Sequence, residues 1–322
     1  MIGVTGADGF VGRHVLDALA VRGLDARPLV RDAECAARLA ALRPHAPAAA
    51  VTGDLGPETA WSPHLDGLTV VIHLAARVHV MDETAADPLA AFRLVNTAGT
   101  ERLAREAARA GVARLVYVST VKVNGEATDG RAPFRGGDAP APEDPYGVSK
   151  WEAEQALAAV AAETGLEVTV LRPPLVHGAG VGGNLLRLLK LVERGLPLPL
   201  ASVNNRRSLI AVRNLADVLA LAASHPAAAG RTYTVADAEA VSTAELIRIL
   251  ARGLGRPARL LPAPIGLLRG AARALGKGAA VERLAGSLEV DASQVMRELA
   301  WSPPVSAEEG LLEMAAWYRT LR

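Results

Sequence analysis

The sequence predicts an α/β fold: a doubly wound parallel sheet followed by a smaller C-terminal lobe. Three observations carry this. Apolar runs rich in Val, Ile and Leu alternate with helix-like segments through the first half of the chain. Those runs are nearly continuous, as expected of strands buried on both faces. A glycine-spaced turn, "TGADGFVG" (5–12), joins the first run to the first helix, at the carboxyl end of a strand where such sheets bind ligands.

The elements follow in order. "MIGVT" leads into a helix over about 9–22, then "ARPLV" (26–30), a short Ala-rich helix, and "AAVTG" (49–53). Next come "LTVVIHLAA" (68–76), a long helix over about 87–110, "ARLVYVST" (113–120), a helix from about Pro145, and "LEVTVLRP" (166–173). After Pro174 the pattern loosens, with Gly178, Gly180, Gly182 and Gly183 forming a flexible stretch. Ser242–Glu245 and Ser306–Glu309 each fit the capping box that starts a helix. "SLIAV" and "RTYTV" read as strands returning among these helices. The boundaries expected are therefore 1–174 for the α/β domain and 175–322 for a smaller, mainly helical lobe, with some segments returning to the first.

Composition narrows the function. The 322 residues are 50% hydrophobic but only 3% aromatic, so the core must be built from Ala, Val and Leu. A formal charge of +1, with both signs scattered, offers no basic face for nucleic acid. The single cysteine, Cys35, fits a reducing compartment, and the chain opens on a strand rather than on a signal-peptide pattern. No apolar run approaches the ~20 residues of a membrane span. A cytoplasmic location is expected. No His/Cys/Asp/Glu cluster has metal-ligand spacing, and no G-x-S-x-G elbow occurs.

Gly6, Gly9 and Gly12 are spaced to let a backbone approach a pyrophosphate at a helix N-terminus, although a plain glycine-rich turn remains the alternative. Where an acid for the ribose of NAD would be expected, at the end of the second strand, stands Val30, followed by Arg31. Arg31 suits a 2′-phosphate, which favours NADP(H); adjacent Asp32 keeps NAD(H) possible. Asp54 can bond the adenine amino group or serve as a cap or turn residue. Tyr146 and Lys150, at i and i+4 in "YGVSK", share one helix face. An adjacent ammonium and a nicotinamide cation would both favour the phenolate, lowering its pKa toward the working range of an acid/base.

The glycine spacing, "HLAA" (73–76), Asn96 in "VNTAGT", "VST" and "YGVSK" together resemble the extended short-chain dehydrogenase/reductase family, in its nucleotide-sugar epimerase/dehydratase branch. "RSLIAVRNLAD" (207–217) and "ELAWSPP" (298–304) extend the resemblance over essentially the whole chain. It implies a Rossmann-type domain, a nicotinamide cofactor and a UDP- or dTDP-linked sugar oxidised or reduced at a ring carbon. Tyr146 would be the acid/base, Thr120 would share its hydrogen bond to the reacting oxygen with Ser119 as neighbour, and Lys150 would bind the nicotinamide ribose. The cofactor would lie against Gly6, Gly9, Phe10, Val11, Gly12, Arg31, Asp54, Leu55, Leu74, Ala75, Ala76, Asn96, Lys150 and Pro173. Substrate contacts would be Arg77, His79, Thr120, Asn184 and Arg207, the last preferred over Arg206, with Arg77 and His79 placed on the rim after the fourth strand. A structural role for His79 is the stronger alternative. The family's dehydratases carry Asp-Glu after the catalytic Thr; Val121 and Lys122 stand there instead, which excludes that reaction. A homodimer through the helices near 87–110 and 145–164 is also implied.

Three functions follow from this reading. The first is reduction of a UDP-4-keto-6-deoxy-hexose by NADPH, as in surface-polysaccharide biosynthesis. The second is 4-epimerisation of a UDP-hexose on tightly held NAD. The third is a non-catalytic nicotinamide sensor, against which the intact Thr120, Tyr146 and Lys150 argue. One stretch stands apart. "IGLLRGAARALGKGAAVERL" carries Arg269, Arg273 and Lys277 four apart on an apolar helix. It reads as a cover for the lobe, with contact to an anionic bilayer as the alternative and no stable insertion.

Overall fold

A computed structural model of the chain describes residues 1–78, 86–274 and 278–321, with some side chains between 268 and 283 outside the description. His79 and Lys277, and the side chain of Arg269, therefore lie outside the described residues.

The first half alternates as the sequence predicts: β1 (Ile2–Thr5), α1 (Phe10–Val21), β2 (Ala26–Val30), α2 (Ala33–Leu42), β3 (Ala50–Val51), the one-turn α3 (Ser62–Leu65) and β4 (Val70–His73). The long helix of the next segment is a composite. α4 (Pro88–Phe92) passes through a π-helical stretch, Arg93–Ala98, into α5 (Gly99–Arg109). Then come β5 (Arg114–Val118), α6 (Pro145–Thr164), β6 (Glu167–Arg172) and β7 (Leu175–His177). The remainder holds α7 (Gly183–Glu193), β8 (Leu209–Ala211), α8 (Val212–Ser224), β9 (Thr232–Thr234) and α9 (Thr243–Gly253). It ends with α10 (Ile265–Ala274), α11 (Gly278–Ala285), α12 (Ser293–Glu298) and α13 (Ala307–Arg319).

Seven strands form one sheet in the order β3-β2-β1-β4-β5-β6-β9, every pairing parallel. The order reverses between β1 and β4, which makes that crevice the switch point at which such sheets bind ligands. Strand side chains bury alternately on the two faces. Val4, Ile72 and Val116 pack with Val15, Leu19 and Leu215 of α1 and α8. Val71 and Leu115 pack on the other side with Leu103 and Leu157 of α5 and α6. The continuous apolar runs follow from this two-sided burial.

Two expected strands differ in destination. "RTYTV" supplies β9, the seventh strand of the sheet, whereas "SLIAV" supplies β8, which pairs only with β7 in a separate two-stranded ribbon. Of the two capping boxes, Ser306 and Glu309 close both halves. Ser242 accepts from the Glu245 amide, and no return bond from the Glu245 side chain completes the second box.

Gly12 shows how tightly the first turn is wound. A Cβ there would lie 2.3 Å from the Gly6 carbonyl oxygen and 2.7 Å from the Ala7 Cα, both backbone atoms that cannot swing aside. Gly12→Ala is expected to cost about 1–3 kcal/mol or more through that overpacking. A denaturant titration, paired with a dinucleotide-binding titration, should show both stability and affinity falling.

Candidate active site

The site is built at the carboxyl ends of β1, β4 and β5. Gly6 takes a φ of +64°, and a Cβ on it would meet the Ala75 backbone nitrogen at 3.0 Å. The turn after β1 and the turn after β4 therefore touch. Thr5 locks them together: its hydroxyl accepts from the Leu74 and Ala75 amides, each at 3.1 Å. Gly9 stands at the N-cap of α1 with no side-chain cap, leaving first-turn amides for an anionic ligand. Phe10 and Val11, half-buried, begin the helix behind this turn.

This cradle fits a dinucleotide. Gly6, Gly9 and Gly12 would carry the pyrophosphate, Leu74–Ala76 would line one side, and Arg31 lies at the far end of β2. Arg31 is largely exposed, donates from Nε to Asp32 at 2.9 Å, and lies 3.8 Å from Asp54. Asp32 is committed twice, to Arg31 and, as the N-cap of α2, to the Cys35 amide at 2.8 Å. The amide bond and the guanidinium together hold its carboxyl down at about 2. The Asp54 side chain is 91% exposed and caps no helix, while its carbonyl accepts from Thr59. Leu55 packs beneath Gly99.

Asn96, expected at the cofactor, directs its amide to protein. Oδ1 accepts from the Arg77 amide at 2.8 Å, and Nδ2 donates to the Arg77 carbonyl and to Ser149 Oγ, both at 3.0 Å. The π-helical stretch turns it inward, and it fastens the loop after β4 to α6.

The catalytic candidates come together around β5 and the start of α6. Asp144 caps α6, its Oδ1 accepting from the Gly147 amide at 2.6 Å. Tyr146 packs edge-on to Phe92 at 5.9 Å between centroids, and the Arg77 guanidinium lies 5.5 Å from the centroid of the same Phe92 ring. Arg77 and Tyr146 thus share Phe92 as a neighbour. Lys150 is buried, with Nζ 4.1 Å from the centroid of the Tyr117 ring. Tyr117 stacks in turn on His73, which is held between Thr5 at 2.7 Å and Thr100 at 3.0 Å. Burial, and secondarily the Lys150 charge, press the imidazole down to about 3, so His73 is a neutral hydrogen-bonding post.

The two serine/threonine candidates divide cleanly. Ser119 donates to Glu154, away from the site. Glu154 itself forms a buried ion pair with Arg172 of β6, Nε to Oε1 at 3.0 Å. Thr120 caps the short helical turn Val121–Val123 by accepting from the Lys122 amide at 3.3 Å, which leaves its proton to donate elsewhere. Pro173 accepts from the Val121 amide at 3.0 Å, tying the end of β6 to this turn. Lys122, in place of an acid, binds Glu126 at 2.8 Å and Asp144.

In the chain without a nicotinamide, burial, and then the charge of Asp144, push the Tyr146 phenol up to about 12. Lys150 moves the other way, drawn down to about 7 by burial against the opposing pull of Glu154. Burial outweighs the pairing that i,i+4 spacing suggests. The phenol is therefore protonated at neutral pH and poised to donate.

In the C-terminal lobe, Asn184 is exposed on the first turn of α7. Arg207 is half-buried, with Nη1 donating to the Gly286 carbonyl at 3.0 Å, and burial lowers its pKa. Arg206 is largely exposed and pairs with Glu289. Phe92, Tyr117, Ser149 and the Glu154–Arg172 pair were not foreseen. Glu154 had a signal, lying four and eight residues beyond Lys150 and Tyr146 on one helix face.

A dinucleotide cradle beside a Thr-Tyr-Lys cluster at the switch point defines a nicotinamide-dependent enzyme of the tyrosine–lysine class. Residues 2–236 match the NAD dependent epimerase/dehydratase family, and the chain belongs to it, among the extended short-chain dehydrogenase/reductases. A UDP-glucose 4-epimerase of Vibrio cholerae is 44% identical over 264 residues, 82% of this chain and 80% of the relative. Among solved structures, MoeE5 in complex with UDP-glucuronic acid and NAD superposes with a TM-score of 0.76 at 26% identity, covering 100% of this chain and 99% of that one. The UDP-glucuronic acid 4-epimerase from Bacillus cereus in complex with NAD shares the fold, with a TM-score of 0.80 at 20% identity over 99% of each chain. Among the described residues no helix is long and apolar enough to cross a membrane, and no acidic, His or Cys group could hold a metal.

Proposed function

We propose that the chain reduces a UDP-linked 4-keto-6-deoxy-hexose with NADPH. The observation that carries this reading is the end of β2, where Val30 stands in place of a ribose-binding acid, Arg31 follows it, and Asp32 is already held by Arg31 and the α2 amide. The nicotinamide, when bound, supplies the hydride to the sugar carbonyl carbon. The chain does the rest. Tyr146 donates its proton to the carbonyl oxygen, Thr120 donates a second hydrogen bond to it, and Lys150 holds the ribose and its positive charge beside the phenol. Arg77 contacts the sugar, and Asn184 and Arg207 hold the diphosphate. Residues 1–174 hold the cofactor and 175–322 mainly the sugar nucleotide, with α8 and β9 returning to the first domain. UDP is the nucleotide borne by the bound ligand of MoeE5 and by the substrate for which the Vibrio cholerae relative is named.

Arg31→Asp should swing the NADPH/NADH preference about ten- to hundredfold toward NADH, the scale of one charge-assisted hydrogen bond of about 1.5–3 kcal/mol. An unchanged ratio of kcat/KM for the two cofactors would remove the support for NADPH.

A second reading, a UDP-hexose 4-epimerase, is favoured by the 44% identity to the Vibrio cholerae relative. The same residues would serve it, with Tyr146 removing and then returning the proton. Chromatography of the nucleotide released from acid-denatured protein separates the two. Stoichiometric NAD⁺ supports the epimerase; a site that exchanges freely with added NADPH supports the reductase.

A further inference from the structure

Basic charge and outward-facing leucines coincide at one end of the C-terminal lobe. Residues 252–285 contain seven Arg and Lys but a single acid, Glu282, so this stretch carries +6 in a chain whose total is +1. The segment from 259 to 261 is pinned from behind: the Leu198 amide donates to the Arg259 carbonyl and the Leu261 amide to the Leu198 carbonyl, both at 2.8 Å. That backbone turns Leu260 inward onto Val192, Leu200 and Val203, and leaves Leu261 outward and 52% exposed. Leu267, in the first turn of α10, is 71% exposed. Arg256 and Arg259 are exposed just before Leu261 in the sequence, whereas Arg273 pairs with Glu282 at 3.6 Å and Arg252 with Glu308.

We propose that this stretch docks on an anionic lipid surface, with Leu261 and Leu267 entering the interface and Arg256 and Arg259 meeting headgroup phosphates. Leucines set among arginines, with no acid but Glu282, are the pattern of an interfacial surface, and charge complementarity selects anionic lipid. Nucleic acid fits poorly, because residues 252–285 contain no Phe, Trp or Tyr on which bases could stack. The docking is peripheral. Its consequence for the site runs through α11: Asn205 bonds the Leu284 carbonyl at 3.1 Å, and Arg207 bonds the Gly286 carbonyl at 3.0 Å. Gly286 follows α11, which packs on α10, so the candidate diphosphate arginine is fastened next to the proposed docking surface. The proposal stands apart from the choice of sugar or cofactor.

The test is flotation of the full-length protein with vesicles of phosphatidylcholine alone or with about one-third phosphatidylglycerol, at low salt. The protein should float at least about tenfold more with the anionic vesicles. The double variant Leu261→Ser/Leu267→Ser should lose about tenfold or more of that binding, and Arg256→Glu/Arg259→Glu a similar amount. Both variants should keep wild-type turnover of a soluble UDP-sugar, and that assay reports on the proposed reaction separately. Equal binding to both vesicle types, no binding to either, leucine variants that float like wild type, or RNA that displaces the vesicles would each overturn the proposal.

Discussion

Tyr146→Phe is expected to lower turnover by about 10²–10⁴-fold, the usual contribution of a positioned general acid. The fold and the dinucleotide affinity should be retained, because the ring keeps its edge contact with Phe92 and only the hydroxyl is lost. The pH dependence has a definite sign. Reduction needs the protonated phenol, the form present below its pKa of about 12. The oxidised nicotinamide is cationic and the reduced one neutral, so the value should drop in the oxidative complex; reductive turnover should fall as pH rises toward the phenol's pKa, while oxidation of the alcohol should rise. Steady-state rates in both directions across the alkaline range, with fluorescence titration of the dinucleotide, check this. A variant with near-normal turnover would remove Tyr146 from the mechanism.

Lys150→Met should separate activity from stability. Loss of the charge beside Tyr146 and of the ribose contact should cut turnover by about 10²-fold or more. The same change should stabilise the fold, because a buried ammonium is traded for an apolar chain of similar length. The lysine sits at about 7 in the folded chain, below its ordinary 10.5, so the unfolded chain binds more protons between those values. The wild type therefore loses stability as pH falls from 10.5 toward 7, and the penalty levels off below 7. The methionine variant lacks that penalty and should gain roughly 1–3 kcal/mol at neutral pH, with the gain shrinking toward pH 10. Paired denaturant titrations at neutral and alkaline pH measure it. An equal or lower stability at neutral pH would mean that the Tyr117 face and Glu154 fully compensate the buried charge.

The parts of the fold that were legible are those whose burial is two-sided. Strands such as Val70–His73 and Arg114–Val118 must be apolar on both faces, and that shows in a single sequence. The destinations of β8 and β9 were not legible: both are three-residue strands, and the pairing partner of each is fixed by distant chain. Local spacing placed Tyr146 and Lys150 on one face of α6 and gave the glycine turn. It could not show that Lys150 rests on Tyr117 or that Arg172 reaches Glu154, since these contacts join residues from different elements. The rise of the Tyr146 phenol in the chain without cofactor was not legible for the same reason. Spacing reveals a neighbouring ammonium, whereas desolvation depends on everything packed around the phenol. Asn96 read as a cofactor contact, whereas its amide bonds Arg77 and Ser149, partners that are brought to it by the π-helical stretch and that spacing could not show.

The central claim is that this chain delivers a hydride from NADPH to a keto-sugar and releases the oxidised cofactor. The most direct measurement is the stoichiometry of NADPH oxidised to sugar nucleotide reduced, with a UDP-4-keto-6-deoxy-hexose as substrate and UDP-glucose as control. One NADPH consumed for each 4-keto sugar reduced, with no interconversion of UDP-glucose and UDP-galactose, is the predicted result. Interconversion of those two hexoses with no net consumption of added NADPH would contradict it.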